Sequence, residues 1–284
     1  MELNAKALNW IADHTRFALL TLITIKGASP RPIGAQMLVS ENREVLGQIS
    51  SGCVEQNLIE LAMQALESSG DQQFEVGAQG PYLDLQLPCG SSLTVLCQTT
   101  FEASIFSDAR QYIESRIAYY LCFDGDRLFY RTEPSHFTIA TRHPSARAVV
   151  VGRPNDPQVT LLKSLLAAVG IELIDRLENV DQYTAFVSLW HDAEQELPPL
   201  LEALQCDLFY IGCIGSRASH AERVIHLKRA GATTAQINQI YAPAGATLMS
   251  KTPGHVALAI AHELVSQYEH YCTAQQNRSI LPIQ

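Results

Sequence analysis

Positive charge is scarce in this 284-residue chain: 20 Lys and Arg stand against 29 Asp and Glu, a formal net charge of -9. A nucleic-acid partner requires a basic face, so none is expected. A small anionic ligand is still allowed, because a local site can be basic within an acidic protein. No apolar run reaches the roughly 20 residues that cross a bilayer, so stable membrane insertion is not expected either. Met1 to Trp10 lacks the basic and apolar regions of a secretory leader. The seven cysteines (Cys53, Cys89, Cys97, Cys122, Cys206, Cys213 and Cys272) form no C-x-x-C pair. Their odd count reads as reduced thiols in a cytoplasmic protein. His and Cys do not cluster at metal-ligand spacing, so no metal site made wholly of protein ligands is expected. The G-x-S-x-G elbow is missing, which argues against a classical hydrolase. There is no internal repeat and no low-complexity segment.

What is present is a globular composition, 47% hydrophobic and 17% charged, in a chain long enough for two ordinary domains. Ala18 to Ile25 predicts a buried strand, and Met37–Val39 with Val45–Ile49 a hairpin. From Cys53 to Ser69, Val54, Leu58, Leu61, Ala62 and Ala65 fall on one helical face, and Gly70 ends the helix. Leu93–Cys97 reads as a strand, and Ile117–Phe123 with Leu128–Arg131 as a second hairpin. Past Arg142 the pattern changes to alternating strands and helices. Strands are expected at Ala146–Gly152, Ile171–Asp175, Ala185–Leu189 and Leu208–Ile211. The helices fall at the stripe Val159, Leu162, Leu165, Leu166, Val169, then at Leu197–Leu204, Ser216–Ala230 and Pro253–Tyr271. The fold class is therefore α/β: a mixed α+β domain over residues 1–142, then a Rossmann-like parallel-sheet domain over 143–284.

The second domain opens as a dinucleotide-binding unit does, but Val149-Val-Val-Gly152 leads into Arg153-Pro-Asn-Asp-Pro157 instead of G-x-G-x-x-G. The glycines that admit a pyrophosphate are missing and two prolines remove amide donors, so NAD(P) binding should be weak or absent. Asp175 stands about 20 residues on, where a ribose-binding acid belongs, yet a plain loop carboxylate fits equally well. Ile211-Gly-Cys-Ile-Gly-Ser216 runs from strand to helix. There Gly212 and Gly215 free the backbone, Ser216 can cap, and Arg217 and His220 add donors. An anion cradle and a routine capped turn remain equally open.

The first domain carries the more unusual residues. Gly27-Ala-Ser-Pro-Arg-Pro-Ile-Gly34 displays one cation, Arg31, between two stiffening prolines, which suits phosphate recognition; the alternative is an Arg31 paired with a local carboxylate. Ser50-Ser-Gly-Cys-Val-Glu55 leads from strand into helix. Cys53 should sit near a helix N-terminus, where the dipole favours thiolate, although a buried structural thiol is the commoner outcome for such a position. Glu55 lies in the first turn, a favoured place for acids. Leu87-Pro-Cys-Gly-Ser-Ser92 adds a second loop cysteine, Cys89.

In order and together, these segments resemble the XdhC/CoxI family of molybdenum-enzyme accessory proteins. Gly27 to Val39, with Gly27, Ser29, Arg31 and Gly34, looks like its opening motif. Gly47-Gln-Ile-Ser-Ser-Gly-Cys-Val-Glu55, with Ser50, Gly52, Cys53 and Glu55, looks like its G-x-I-S-G-G-C-V-E motif. Pro88-Cys-Gly90 is similar to its C-G-G element, so Cys89 and Gly90 join the set. Asp175-Arg176, His191-Asp192, Tyr210 to Arg217 and Pro243-Ala-Gly245 through Thr252-Pro253 follow its second-domain pattern. The chain departs from that pattern at Ser51, at Ser91, over Gly152–Pro157 and at Gly254-His255. The resemblance implies a cofactor-binding chaperone rather than a catalyst. Such a protein binds molybdenum cofactor (molybdopterin) and supports its sulfuration and its insertion into a xanthine-dehydrogenase-type apoenzyme. A cysteine desulfurase and a second copy of the chain, as a homodimer, are the further implied partners. Cys53 would be the reactive group and a plausible molybdenum ligand, since soft sulfur suits that metal. Two rival readings are a nicotinamide-dependent oxidoreductase and a scaffold bridging sulfurtransferase and apoenzyme without holding cofactor.

Overall fold

The computed structural model describes residues 4–52, 54–68, 70–77, 90–102, 104–245 and 252–279, with 277–279 as backbone only. The chain folds as two units, Met1–Pro144 and Ser145–Gln284.

The first unit contains, in chain order, α1 (Ala5–Ala12), β1 (Phe17–Lys26), β2 (Gln36–Ser40), β3 (Val45–Gly47), α2 (Glu55–Ser68), β4 (Gln72–Gly77) and β5 (Ser92–Gln98). It continues through α3 (Ser104–Glu114), β6 (Tyr119–Phe123), β7 (Leu128–Arg131) and β8 (Thr138–Arg142). Five strands form an antiparallel sheet in the order β3-β2-β1-β5-β4, and three more form the sheet β7-β6-β8.

The central strand β1 reads as an unbroken apolar run because both of its faces are covered. Ala18, Leu20 and Leu22 join Met37 and Val39 under the stripe Leu58, Leu61, Ala62 and Ala65 of α2. Phe17, Leu19 and Ile23 face the other way, into a cluster with Leu8, Ile105, Tyr119 and Leu121 from α1, α3 and β6. Period-two alternation therefore sends these residues of β1 to two cores in turn, whereas Thr24 and Lys26 near its end are exposed. Val54 is also buried, so the stripe of α2 starts before its first helical residue.

The second unit runs β9 (Arg147–Val151), α4 (Pro157–Ala168), β10 (Glu172–Leu173), β11 (Thr184–Ser188), α5 (Ala193–Ala203), β12 (Tyr210–Cys213), α6 (Arg217–Arg229), α7 (Thr234–Ile237), β13 (Ile240–Tyr241) and α8 (Pro253–Ser279). Its sheet is parallel throughout, in the order β10-β9-β11-β12-β13. One face packs against α4 and α8 through Leu162, Leu166, Ala257, Ile260 and Leu264. The other packs against α5 and α6 through Leu200, Ala203 and Leu227.

Several boundaries depart from expectation, each for a physical reason. No helix separates β10 from β11, so the alternation is not strict. β10 keeps only Glu172 and Leu173, because β9 is its single neighbour and offers it two register partners. Val169 leaves the apolar stripe of α4: it is the C-cap residue and 58% exposed, ahead of Gly170 at φ +84°. α5 starts four residues before Leu197, because Asp192 caps it by accepting the Glu194 amide, and it carries Pro198 and Pro199. Cys97, Cys122 and Cys213 are core residues, whereas Cys206 is only half-buried.

Candidate functional site

The antiparallel register gathers three motifs at one end of the five-stranded sheet. β1 finishes there at Lys26, opposite Ser92 where β5 begins. β2 begins there, and β3 finishes there at Gly47, opposite Met37. The loop from Gly27 to Gly34, the loop from Gly47 to Glu55 and the segment Gly90–Ser92 all leave this end. Cys53 and Cys89 lie outside the described residues.

The first loop is pinned at both ends. Gly27 has φ +94°, and a Cβ on it would come within 2.8 Å of the Ser91 hydroxyl, which accepts the Ala28 amide at 2.9 Å. Ser91, one of the departures from the family pattern, thus ties the first motif to the third. At the other end Gly34 has φ +85°, and a Cβ there would meet the Ala140 methyl at 2.5 Å. The Gly34 amide donates to the Leu22 carbonyl at 2.7 Å, and its own carbonyl accepts from the buried Arg142 guanidinium. Between these anchors the Ser29 hydroxyl donates to the Arg31 carbonyl at 2.8 Å and accepts the Arg31 amide at 3.3 Å. Among the described residues no carboxylate pairs with Arg31, and its buried Nε has no hydrogen-bond partner.

The second loop is organised by Glu55. Its carboxylate accepts the Ile49 amide at 3.1 Å and the Ser50 amide, the Ser50 hydroxyl and the Gly52 amide, each at 2.6 Å. Burial pushes the Glu55 carboxyl up, but the hydrogen bonds from Ser50 and Gly52 outweigh it, and the group is held below the ordinary carboxylate range. Ser51 and Gly52 take positive φ, 62° and 113°, to bring these donors round. Two of the amides of Ser50–Gly52 are therefore already taken by Glu55 and not open to a ligand. Its place in the first turn does more than favour the dipole, since it closes the loop.

Several of the predicted residues of the second unit serve packing within that unit. A Cβ on Gly212 would come within 2.5 Å of the Tyr210 ring, so this glycine makes room for an aromatic side chain. Tyr210 in turn donates to Glu263 at 2.8 Å. Gly215 has φ +123°. Ser216 caps α6 reciprocally with Ser219, whose amide it accepts at 3.1 Å. Arg217 is exposed. His220 turns away from the helix end, and its Nδ1 accepts from Arg223 at 3.3 Å; burial, then the neighbouring Arg223 charge, lowers its pKa. Asp175 is exposed and lies two residues past β10. Where a dinucleotide-binding helix would offer its amides, Asp156 caps α4 by accepting the Gln158 amide at 2.8 Å, and Pro157 contributes no donor.

Two structural features had no sequence signal. One is Arg142, at the end of β8, reaching Gly34. The other is a buried pair under the β12–α6 turn, in which Arg223 holds Glu196 at 2.7 Å and donates to the Ile214 carbonyl at 2.8 Å. Ser188 donates to the same carboxylate at 2.7 Å.

A two-part protein, with an antiparallel sheet presenting three loops and a parallel unit lacking the glycine turn, is the class this geometry defines. The XdhC and CoxI family model matches residues 10–77, and the XdhC Rossmann domain model matches residues 95–264. The chain belongs to the XdhC and CoxI family. It is 30% identical over 280 residues to the molybdenum cofactor insertion chaperone PaoD of Escherichia coli, covering 93% of this chain and 86% of that protein. It is 23% identical over 273 residues to the uncharacterized protein YqeB of Escherichia coli, covering 93% of this chain but only 46% of that one. A crystal structure from Bacillus halodurans, described as a xanthine dehydrogenase, has a similar fold, with a TM-score of 0.72 at 17% identity, covering 93% of this chain and 95% of that one. No helix among the described residues is long and apolar enough to cross a membrane.

Proposed function

We propose that this protein is a molybdenum cofactor insertion chaperone that binds the cofactor as cargo and hands it to a xanthine-dehydrogenase-type apoenzyme. Family membership and the resemblance to PaoD support the class. The single observation that carries the binding reading is the convergence of the three loops at one sheet end, with a buried, unpartnered Arg31 Nε among them. The cofactor's pterin bears a phosphate monoester, and a guanidinium without a carboxylate partner is the group to receive it. Cys53, with Cys89 second, is the thiol proposed to meet the metal, because soft sulfur matches molybdenum. Sulfuration by a cysteine desulfurase and a homodimeric assembly belong to the same proposal.

The test is direct. The pure protein is mixed with molybdenum cofactor, desalted, and assayed for bound pterin and molybdenum. Wild type should retain both. Arg31→Ala should lose at least tenfold in retention, and Cys53→Ser should fail to activate the apoenzyme while remaining folded. Recovery of neither pterin nor metal from folded wild type overturns the reading. Apoenzyme activation without any retention would instead favour the scaffold.

A further inference from the structure

The sheet order of the second unit reverses between β9 and β11, since β9 continues outward to β10 while β11 continues the other way to β12. In open parallel sheets such a reversal opens a crevice beyond the carboxyl ends of the two strands, because their connections part to opposite faces. Here it is a cleft of 730 Å³, within the range of small-molecule sites. Val151 and Gly152 form its floor, Val159 and Lys163 present one face of α4, and Trp190 follows β11 on the other side, with Arg153 at the rim. The spacing of Val159 and Lys163 is i, i+4, which places both side chains on the same helical face.

The charge balance of this cleft is opposite to that of the chain. The protein carries a formal net charge of -9, yet the described residues lining the cleft include two cations and no Asp or Glu. Neither the Arg153 nor the Lys163 side chain has an ion pair or hydrogen bond among the described residues. Trp190 is half-buried, with no aromatic neighbour stacked on it among the described residues. An indole face takes planar rings, and a guanidinium with an ammonium takes a phosphate dianion. The cleft suits a small ligand rather than a dinucleotide, because the amides that would hold a pyrophosphate are replaced by the Asp156 cap and Pro157.

We infer that this cleft binds a phosphorylated planar heteroaromatic compound, a nucleoside monophosphate or a pterin phosphate, with its ring against Trp190 and its phosphate between Arg153 and Lys163. The lining residues all belong to the second unit, and the inference does not rest on the cargo reading. The chain has two tryptophans, so Trp10→Phe in the full-length protein leaves Trp190 as the sole tryptophan emitter. This variant is titrated with the four nucleoside 5′-monophosphates, a pterin monophosphate, adenosine and inorganic phosphate, and calorimetry on wild type repeats each titration. At least one monophosphate should quench saturably below about 1 mM. Adenosine and inorganic phosphate should each bind at least tenfold more weakly. Arg153→Ala with Lys163→Ala should weaken the monophosphate at least tenfold, with an unchanged circular dichroism spectrum. Comparing the nucleotide and pterin arms identifies the source. The inference is overturned if no monophosphate saturates by either method, if inorganic phosphate alone binds as tightly, or if the double variant binds like wild type.

Discussion

Glu55 offers the sharpest test of how the first unit holds its loops. Glu55→Ala removes a carboxylate that accepts four hydrogen bonds, from the Ile49 amide, the Ser50 amide, the Ser50 hydroxyl and the Gly52 amide. Hydrogen bonds to a charged group contribute about 1.5–3 kcal/mol each when the donor cannot return to water. Gly52 is exposed and regains solvent, whereas Ile49 and Ser50 are buried. With screening at a partly open carboxylate discounted, the loss is about 3 kcal/mol. For a unit of this size that lowers the melting temperature by about 6–12 °C. The assay is thermal unfolding at neutral pH followed by Trp10 emission in a Trp190→Phe background, which reports on the first unit alone. The pH dependence has a definite sign. The folded carboxyl is held below its unfolded value, so its stabilisation is fully present above the unfolded value of about 4.3 and is lost as pH falls through the lower folded value. The gap between wild type and Glu55→Ala should therefore shrink in acid. A variant that melts within about 2 °C of wild type at neutral pH, with no narrowing in acid, refutes the account.

Gly212→Ala should destabilise the second unit by about 1–3 kcal/mol, because its Cβ would press into the Tyr210 ring at 2.5 Å; an unchanged melt of Trp190 emission in a Trp10→Phe background would show that the ring yields freely. Arg223→Met strands a buried Glu196 carboxylate and should cost about 3–5 kcal/mol. Adding Glu196→Leu to it should recover most of that loss in chemical denaturation, and equal midpoints for the single and double variants would contradict the pairing. Burial pushes the Cys97 thiol up to about 12, so iodoacetamide should label Cys53 well before Cys97 or Cys122 in the native protein, as read by peptide mass spectrometry; early labelling of Cys97 would mean that its strand opens.

The elements legible in the sequence are those whose periodicity is strong and local. The α2 stripe, both hairpins and β1 follow from apolar spacing, although β3 stops at Gly47 rather than Ile49 and α2 begins at Glu55 rather than Cys53. The elements it leaves unmarked are those whose signal is weak or non-local. α1 and α3 are short, and their buried residues are few: Ala7 and Leu8 in one, Ile105 and Ala109 in the other. β4 runs through Gln72, Gln73, Phe74, Glu75 and Val76, a largely polar strand that forms because β5 pairs with it. At the site, the motifs could be read but not their side-chain accounts. Nothing in Ser50-Ser-Gly-Cys-Val-Glu55 says that the glutamate turns back to take the loop amides, since that depends on the positive φ at Ser51 and Gly52. Likewise Gly212 and Gly152 look like glycines kept for a ligand. Their absent Cβ atoms instead admit the Tyr210 ring in one case and Val159 and Leu189 in the other.

Under the proposed carrier role, the cap on α4 bears on how a bound anion is released. Backbone amides at a helix end form a rigid receptor whose shape changes only if the helix itself moves. Here a fixed carboxylate occupies that receptor at α4, and Glu55 does the same before α2. In the sites proposed above, an anion is met by long side chains, Arg31 in the first unit and Arg153 with Lys163 in the second. Such a grip is loosened by salt and by any competing acidic surface brought alongside. In that proposed role, cargo would leave by exchange of ion partners, without unfolding any part of the protein.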